Sequence, residues 1–239
     1  MNKNSYTAAN SIPIKLLLNP QWVREGKITP IHAQFMPTYK CNFSCSFCSC
    51  SKRNKDDEMS FDKVKLIINN LKIVGCKAVT ITGGGEPLCH PQINQIIELF
   101  NHNNIKVGLA TNGSLLNSKF ISKSSSITWC RISASDNIIF NSSYCKKLEE
   151  VFNEYSNINW AFSYVVSEVP NEVNIANMVK FANKNNITHI RLVSDLFKSE
   201  KVNLDKISLF LREKKVDDSL VIYQHRQNYT RGGTVILVF

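Results

Sequence analysis

Between residues 31 and 211 the spacing of apolar residues switches six times from a strand period to a helix period, which leaves few topologies open. The strand-like runs are 31–39, 78–82, 106–110, 128–133, 160–166 and 189–193. Helical faces follow them: Phe61, Val64, Ile67, Ile68 and Leu71 behind a capping Ser60, then Ile93, Ile96, Ile97 and Phe100 behind Pro91. A short helix is expected after Thr111-Asn112-Gly113. Further faces are Leu148, Val151, Phe152 and Tyr155; Ile175, Met178, Val179 and Ala182; and Leu204, Ile207, Phe210 and Leu211. Six strand–helix units without hairpin signals predict parallel strands joined by right-handed crossovers. Such an array curls into a partial barrel or lies as an open sheet, and either form gathers ligands at the carboxyl ends of its strands. The polar and glycine-rich residues fall there: a cysteine loop after the first strand, 83–87 after the second, 111–113 after the third, Ser135-Asp136 after the fourth and Ser194-Asp195 after the sixth.

The chain has 239 residues, long for an ordinary domain but normal for a single α/β barrel, and its 43% apolar content can fill a core. We divide it into an irregular leader (1–30), a barrel core (31–215) and a short strand-like extension (216–239). Lys15, Pro20 and Arg24 interrupt the apolar stretches near the start, so neither a membrane helix nor a signal peptide is expected, and the cytoplasm is the expected compartment. The net charge of +10 permits an anionic partner such as a nucleotide or nucleic acid. Basic residues are nevertheless spread along the chain, with only a short cluster at Lys52, Arg53 and Lys55, which reads as solvated surface rather than a dedicated nucleic-acid face.

Eight cysteines in a reducing compartment are not expected to pair. Cys76, Cys89, Cys130 and Cys145 are scattered and read as small core residues, whereas Cys41, Cys45, Cys48 and Cys50 crowd into ten positions. Cys41, Cys45 and Cys48 stand at spacings of four and three on a loop after a strand. Thiolates hold iron–sulfur clusters, and three ligands on a four-iron cubane leave one iron open. Zinc bound by Cys41, Cys45, Cys48 and Cys50 is the competing assignment. Zinc sites of this kind favour two separated pairs or a histidine partner, and the chain has no second pair.

The C-x3-C-x2-C loop, with Phe47 before its third cysteine, resembles that of the radical S-adenosylmethionine (SAM) superfamily. Gly83-Gly84-Gly85-Glu86-Pro87 resembles the glycine-rich segment of the same family, which meets the methionine part of SAM. The resemblance covers 31–195 and implies an α/β fold, a partial (β/α)6 TIM-type barrel of parallel strands with outer helices. It also implies a [4Fe–4S] cluster on Cys41, Cys45 and Cys48, with SAM chelating the open iron. Such an enzyme cleaves SAM reductively to a 5′-deoxyadenosyl radical, which takes a hydrogen atom from the substrate. A reducing donor such as a flavodoxin or ferredoxin would be a partner, and the substrate would be a small molecule, nucleotide or peptide.

The resemblance extends to single residues. Gly83, Gly84 and Gly85 would let backbone approach SAM, and Glu86 would meet its ammonium group. Phe47 would pack near the adenine or fill the loop. Thr111, Asn112, Ser133 and Asp136 match positions that contact SAM polar groups, or are ordinary turn and cap residues. Arg191 would meet the SAM carboxylate or the substrate, or pair with an acid, and His90 would cap the helix at Pro91. No cysteine follows Cys145, so the auxiliary-cluster region common in peptide-modifying relatives is not expected. The tail reads as two strands, 221–226 and 234–239, that add to the barrel edge or mark a shortened form of a longer enzyme. The other assignments left open are a non-enzymatic zinc or iron–sulfur protein and an inactive, truncated homologue.

Overall fold

The structure is a computed structural model that describes residues 30–117 and 127–225. Seven strands form one sheet: β1 (His32–Phe35), β2 (Ala78–Ile81), β3 (Lys106–Thr111), β4 (Ile127–Ala134), β5 (Asn159–Val166), β6 (Ile190–Ser194) and β7 (Val221–Gln224). Spatial order equals chain order, and every neighbouring pair is parallel. The helices named here are α1 (Phe61–Ile73), α2 (Ile93–His102), α3 (Ser142–Glu154), α4 (Glu172–Lys184) and α5 (Leu204–Glu213). The six expected strands are present within a residue or so of their expected ends, apart from the first.

β1 stops at Phe35 because Pro37 has no N–H for the ladder. Beyond it Thr38 makes an isolated antiparallel bridge to Glu58, which closes the neck of the cysteine loop. The expected strand at 221–226 is β7, which lies parallel beside β6 as a seventh member of the sheet. Its expected companion at 234–239, the leader and most of the short helix after Gly113 lie outside the described residues.

Local chemistry sets the helix starts. The Ser60 hydroxyl accepts from Lys63 N, and the side chains of Asn141, Asn171 and Asn203 cap α3, α4 and α5 in the same way. α2 begins at Ile93, not at Pro91, and Gln92 at its N-cap position makes no side-chain cap. His90 serves the preceding turn instead: its Nδ1 accepts from Gln92 N at 3.1 Å, so Nε2–H donates to Met59 O at 3.0 Å.

Side chains alternate across the sheet with the period of two that a strand imposes. Val79, Ile81, Leu109, Cys130, Ile132, Phe162, Ile190 and Leu192 pack under the helices in one continuous core. That core takes in Val64, Ile68 and Leu71 of α1, and Phe152 and Phe181 packed round Trp160 and Phe162. The opposite face, the concave one, carries Thr80 level with Gly108, then Arg131, then Ser133 level with Ser163 and Arg191. Among the described residues no helix is long and apolar enough to cross a membrane.

Candidate active site at the cysteine loop

The loop that carries the cysteines is pinned at both ends. Tyr39 N donates to Asp57 O at 2.8 Å and Met59 N to Pro37 O at 2.9 Å, so 40–56 leaves the sheet and returns at one point. The glycine-rich turn after β2 packs against this neck: Gly85 N donates to Thr38 O and Glu86 N to Lys40 O. A Cβ on Gly85 would lie 2.0 Å from Lys40 O, and one on Gly84 would lie 1.9 Å from the Tyr39 ring. Glycine is required here because the cysteine loop occupies the space a side chain would fill.

Cys41, Cys45 and Cys48 line one cavity of about 400 Å³ at the carboxyl ends of the strands. Gly83, Gly84, Glu86, Thr111, Asn112 and Ser133 line it as well, as does Phe47. Gly85 and Asp136 do not line it. The Asp136 carboxylate instead accepts a hydrogen bond from the Tyr164 hydroxyl. Phe43 packs against the core and anchors the loop, and both Phe43 and Phe47 reach the cavity wall.

Each of the three sulfurs accepts an N–H. Cys41 Sγ receives Phe43 N at 3.4 Å, Cys45 Sγ receives Asn137 Nδ2 at 3.2 Å and Cys48 Sγ receives Arg53 Nη1 at 3.3 Å. Burial raises the Cys45 thiol above its ordinary pKa, and Cys41 and Cys48 push the same way, while Asn137 and Arg53 pull it down. Cys50 also lines the cavity, but the contact shown for its sulfur is the Ser49 hydroxyl at 3.9 Å. Arg53, expected on a solvated surface, is half-buried: it also donates to Tyr39 O and Cys50 O and staples the end of the loop.

Glu86 is 2% exposed and joins two strand ends. Its Oε1 accepts from Leu88 N and the Thr111 hydroxyl, and its Oε2 from Asn112 N at 2.6 Å. Burial nevertheless holds its pKa above the usual carboxylate range, against those three donors. Asn112 reaches across to Asn42 of the cysteine loop at 2.8 Å, and Asn42 donates to Ser114 at 2.7 Å. This bridge brings the loops after β1 and β3 together.

The Radical SAM superfamily model matches residues 35–132, the stretch that holds the cysteine loop, the glycine-rich turn and most of β4. Over that stretch the chain is similar to enzymes of the radical SAM superfamily. It is 30% identical over 113 residues to 7-carboxy-7-deazaguanine synthase of Bacillus subtilis (strain 168), covering 45% of this chain and 46% of that enzyme. It is 33% identical over 79 residues to an S-adenosylmethionine-dependent nucleotide dehydratase of Selenomonas ruminantium, covering 33% of this chain and 28% of the relative. The matched stretch thus spans less than half of either relative. A crystal structure of SuiB from Streptococcus suis bound to precursor peptide SuiA shares the fold, with a TM-score of 0.62 at 15% identity, over 90% of this chain and 54% of that one.

The matched family implies SAM and an iron–sulfur cluster, and the donor chemistry of the loop fits such a cluster. Three sulfurs with N–H donors border a cavity whose wall also includes glycine backbone and the side chains of Thr111 and Ser133. A cubane takes its thiolates on different irons, so its ligands stand further apart than those of a single ion. Among the described residues no three His, Cys, Asp or Glu side chains converge as a single metal ion requires.

The sequence reading did not single out Asn42, Asn137 or Tyr39 for the site, and it took Arg53 as surface. For Arg53 the available signal was its place five residues after Cys48. Asn137, 92 positions from Cys45, had none.

Proposed function

We propose that the chain is a radical SAM enzyme whose Cys41, Cys45 and Cys48 hold a [4Fe–4S] cluster and whose cavity binds SAM. The observation that carries this is the set of three hydrogen-bonded sulfurs opening on one cavity beside the glycine-rich turn. A cluster of this type with SAM bound supplies one-electron cleavage of the sulfonium to methionine and a 5′-deoxyadenosyl radical, the species that takes hydrogen from a substrate.

This chain's residues then bind and orient. Gly83 and Gly84 offer backbone to the methionine part, and Glu86, fixed from both sides, offers its carboxylate to the SAM ammonium. A cation at that point offsets the burial that raises the Glu86 pKa. Thr111 and Asn112 hold Glu86 and the loop bridge, Ser133 offers a hydroxyl from β4, and Phe47 offers an apolar surface for the adenine. Asp136 acts from one step away by fixing Tyr164. The electron comes from a flavodoxin- or ferredoxin-type donor in the cytoplasm. A nucleotide-like substrate is favoured over a peptide, in keeping with the +10 charge and with the nucleotide chemistry named for the dehydratase and the GTP 3′,8-cyclase of Methanococcus maripaludis.

Anaerobically reconstituted protein with reductant should convert SAM to 5′-deoxyadenosine and methionine. An intact cluster without turnover would overturn the enzyme assignment. Colourless protein with one zinc per chain would replace it with the zinc assignment.

A further inference from the structure

Below the cysteine layer the concave face is cationic. Arg131 of β4 and Arg191 of β6 line the same cavity as the cysteines, and among the described residues Glu86 is the one carboxylate that lines it. The two arginines flank β5, whose residues at matched positions are small: Ala161 pairs with Arg131 and Ser163 with Arg191. Strands two apart are separated by roughly 10 Å at the backbone, and side chains on a concave face lean toward each other. Both arginines and Ser163 between them line the cavity, with Ser133 level with Ser163.

Each arginine has a neutral support on the sheet. Arg191 Nη2 donates to the neutral Gln224 of β7 at 2.6 Å. The Arg131 guanidinium sits 5.6 Å from the centre of the Trp129 ring. That ring lies over Gly108, where a Cβ would fall 2.1 Å from it, so the small residue on β3 makes room for the support. His189 shows the resulting field: burial, then Arg131 and Arg191, depress its pKa to about 4, so it stays neutral beside them.

We propose that Arg131 and Arg191 form an oxyanion-binding floor in the barrel, and that the substrate carries a phosphate or carboxylate which they grip. The floor stands on the geometry alone; calling its ligand the substrate rests on the radical SAM assignment above. A guanidinium presents a planar fork of donors that matches either oxyanion, and two such forks fix orientation as well as position. A substrate held from below in this way turns its other end toward the cysteine layer.

The test uses the full chain, reconstituted anaerobically, with calorimetric titrations of pyrophosphate, malonate, SAM and decarboxylated SAM. At least one of the two small anions should bind saturably at one site per chain, and the tighter binder identifies phosphate or carboxylate as the group. Arg131→Gln and Arg191→Gln should each weaken that binding by about tenfold or more, while SAM affinity changes by less than about twofold. Lys184→Gln, an exposed charge on α4, should leave anion binding unchanged. Arg→Lys variants should show an intermediate loss, and they replace any glutamine variant that fails to fold.

Absence of saturable anion binding would overturn the proposal, and so would an equal loss in Lys184→Gln. If the glutamine variants weaken SAM but not decarboxylated SAM, the arginines hold the SAM carboxylate and the substrate assignment fails. Protein that binds pyrophosphate but retains neither iron nor SAM would overturn the radical SAM assignment and leave the floor standing.

Discussion

The thiols of this chain fall into two groups that differ in the direction of their hydrogen bonds. In the barrel core, Cys76 donates to Ala78 O at 3.3 Å and Ile31 O at 3.7 Å, and burial raises its pKa. Cys130, fully buried under the helices, is pushed up strongly by burial and by Glu86. In the loop, Cys41, Cys45 and Cys48 accept N–H groups instead. A donating sulfur is a neutral thiol that packs like a small hydrophobe, whereas an N–H aimed at a sulfur suits a thiolate that ligates metal. One residue type thus serves two purposes, and its neighbours decide which. The division is not complete, since Cys89 and Cys145, expected as core residues, are only half-buried.

Four substitutions probe this contrast. Cys48→Ala should have the largest effect, loss of both iron and SAM cleavage, because three thiolates are the minimum for holding the cubane. Cys50→Ala should leave both intact. Iron content and 5′-deoxyadenosine yield check the pair, and iron loss in Cys50→Ala would return that thiol to the ligand set. Cys130→Ser should keep iron but lower unfolding stability by about 1–3 kcal/mol, the cost of placing a hydroxyl in an apolar core. Unchanged denaturant midpoints would show that the core treats this sulfur as polar. Asn137→Leu should have a small effect: iron is retained and the cluster midpoint potential falls by on the order of tens of millivolts, since an N–H to sulfur favours the reduced state. Potentiometry followed by electron paramagnetic resonance reads this directly, and an unmoved potential would make the Asn137 contact incidental.

Much of the fold was legible because its signals are local. Period switching located the six strands, and Ser60 and the asparagine-capped helices start where side-chain oxygens can reach free N–H groups. The cysteine spacing and the glycine run could be read for the same reason, although the glycines proved to be required by Tyr39 and Lys40 as well as placed for a ligand. The start of α2 was misplaced because Pro91 suits a first helical turn, while His90 draws Gln92 N into a separate turn before the helix begins. Asp136 was legible only as a polar residue at a strand end; its engagement with Tyr164 of β5 depends on how β4 and β5 align.

By itself the sequence determined a parallel, alternating architecture with a three-thiol loop at one end, because period and spacing act over a few residues. Tertiary structure alone decided which thiols accept hydrogen bonds, that Arg53 turns inward, and that Glu86 ties β2 to β3. It also decided that Arg131 and Arg191 share one face across β5. The physical reason is register: a one-residue slip in a strand moves every side chain to the opposite face, so pairings made across the sheet are fixed only when the strands align.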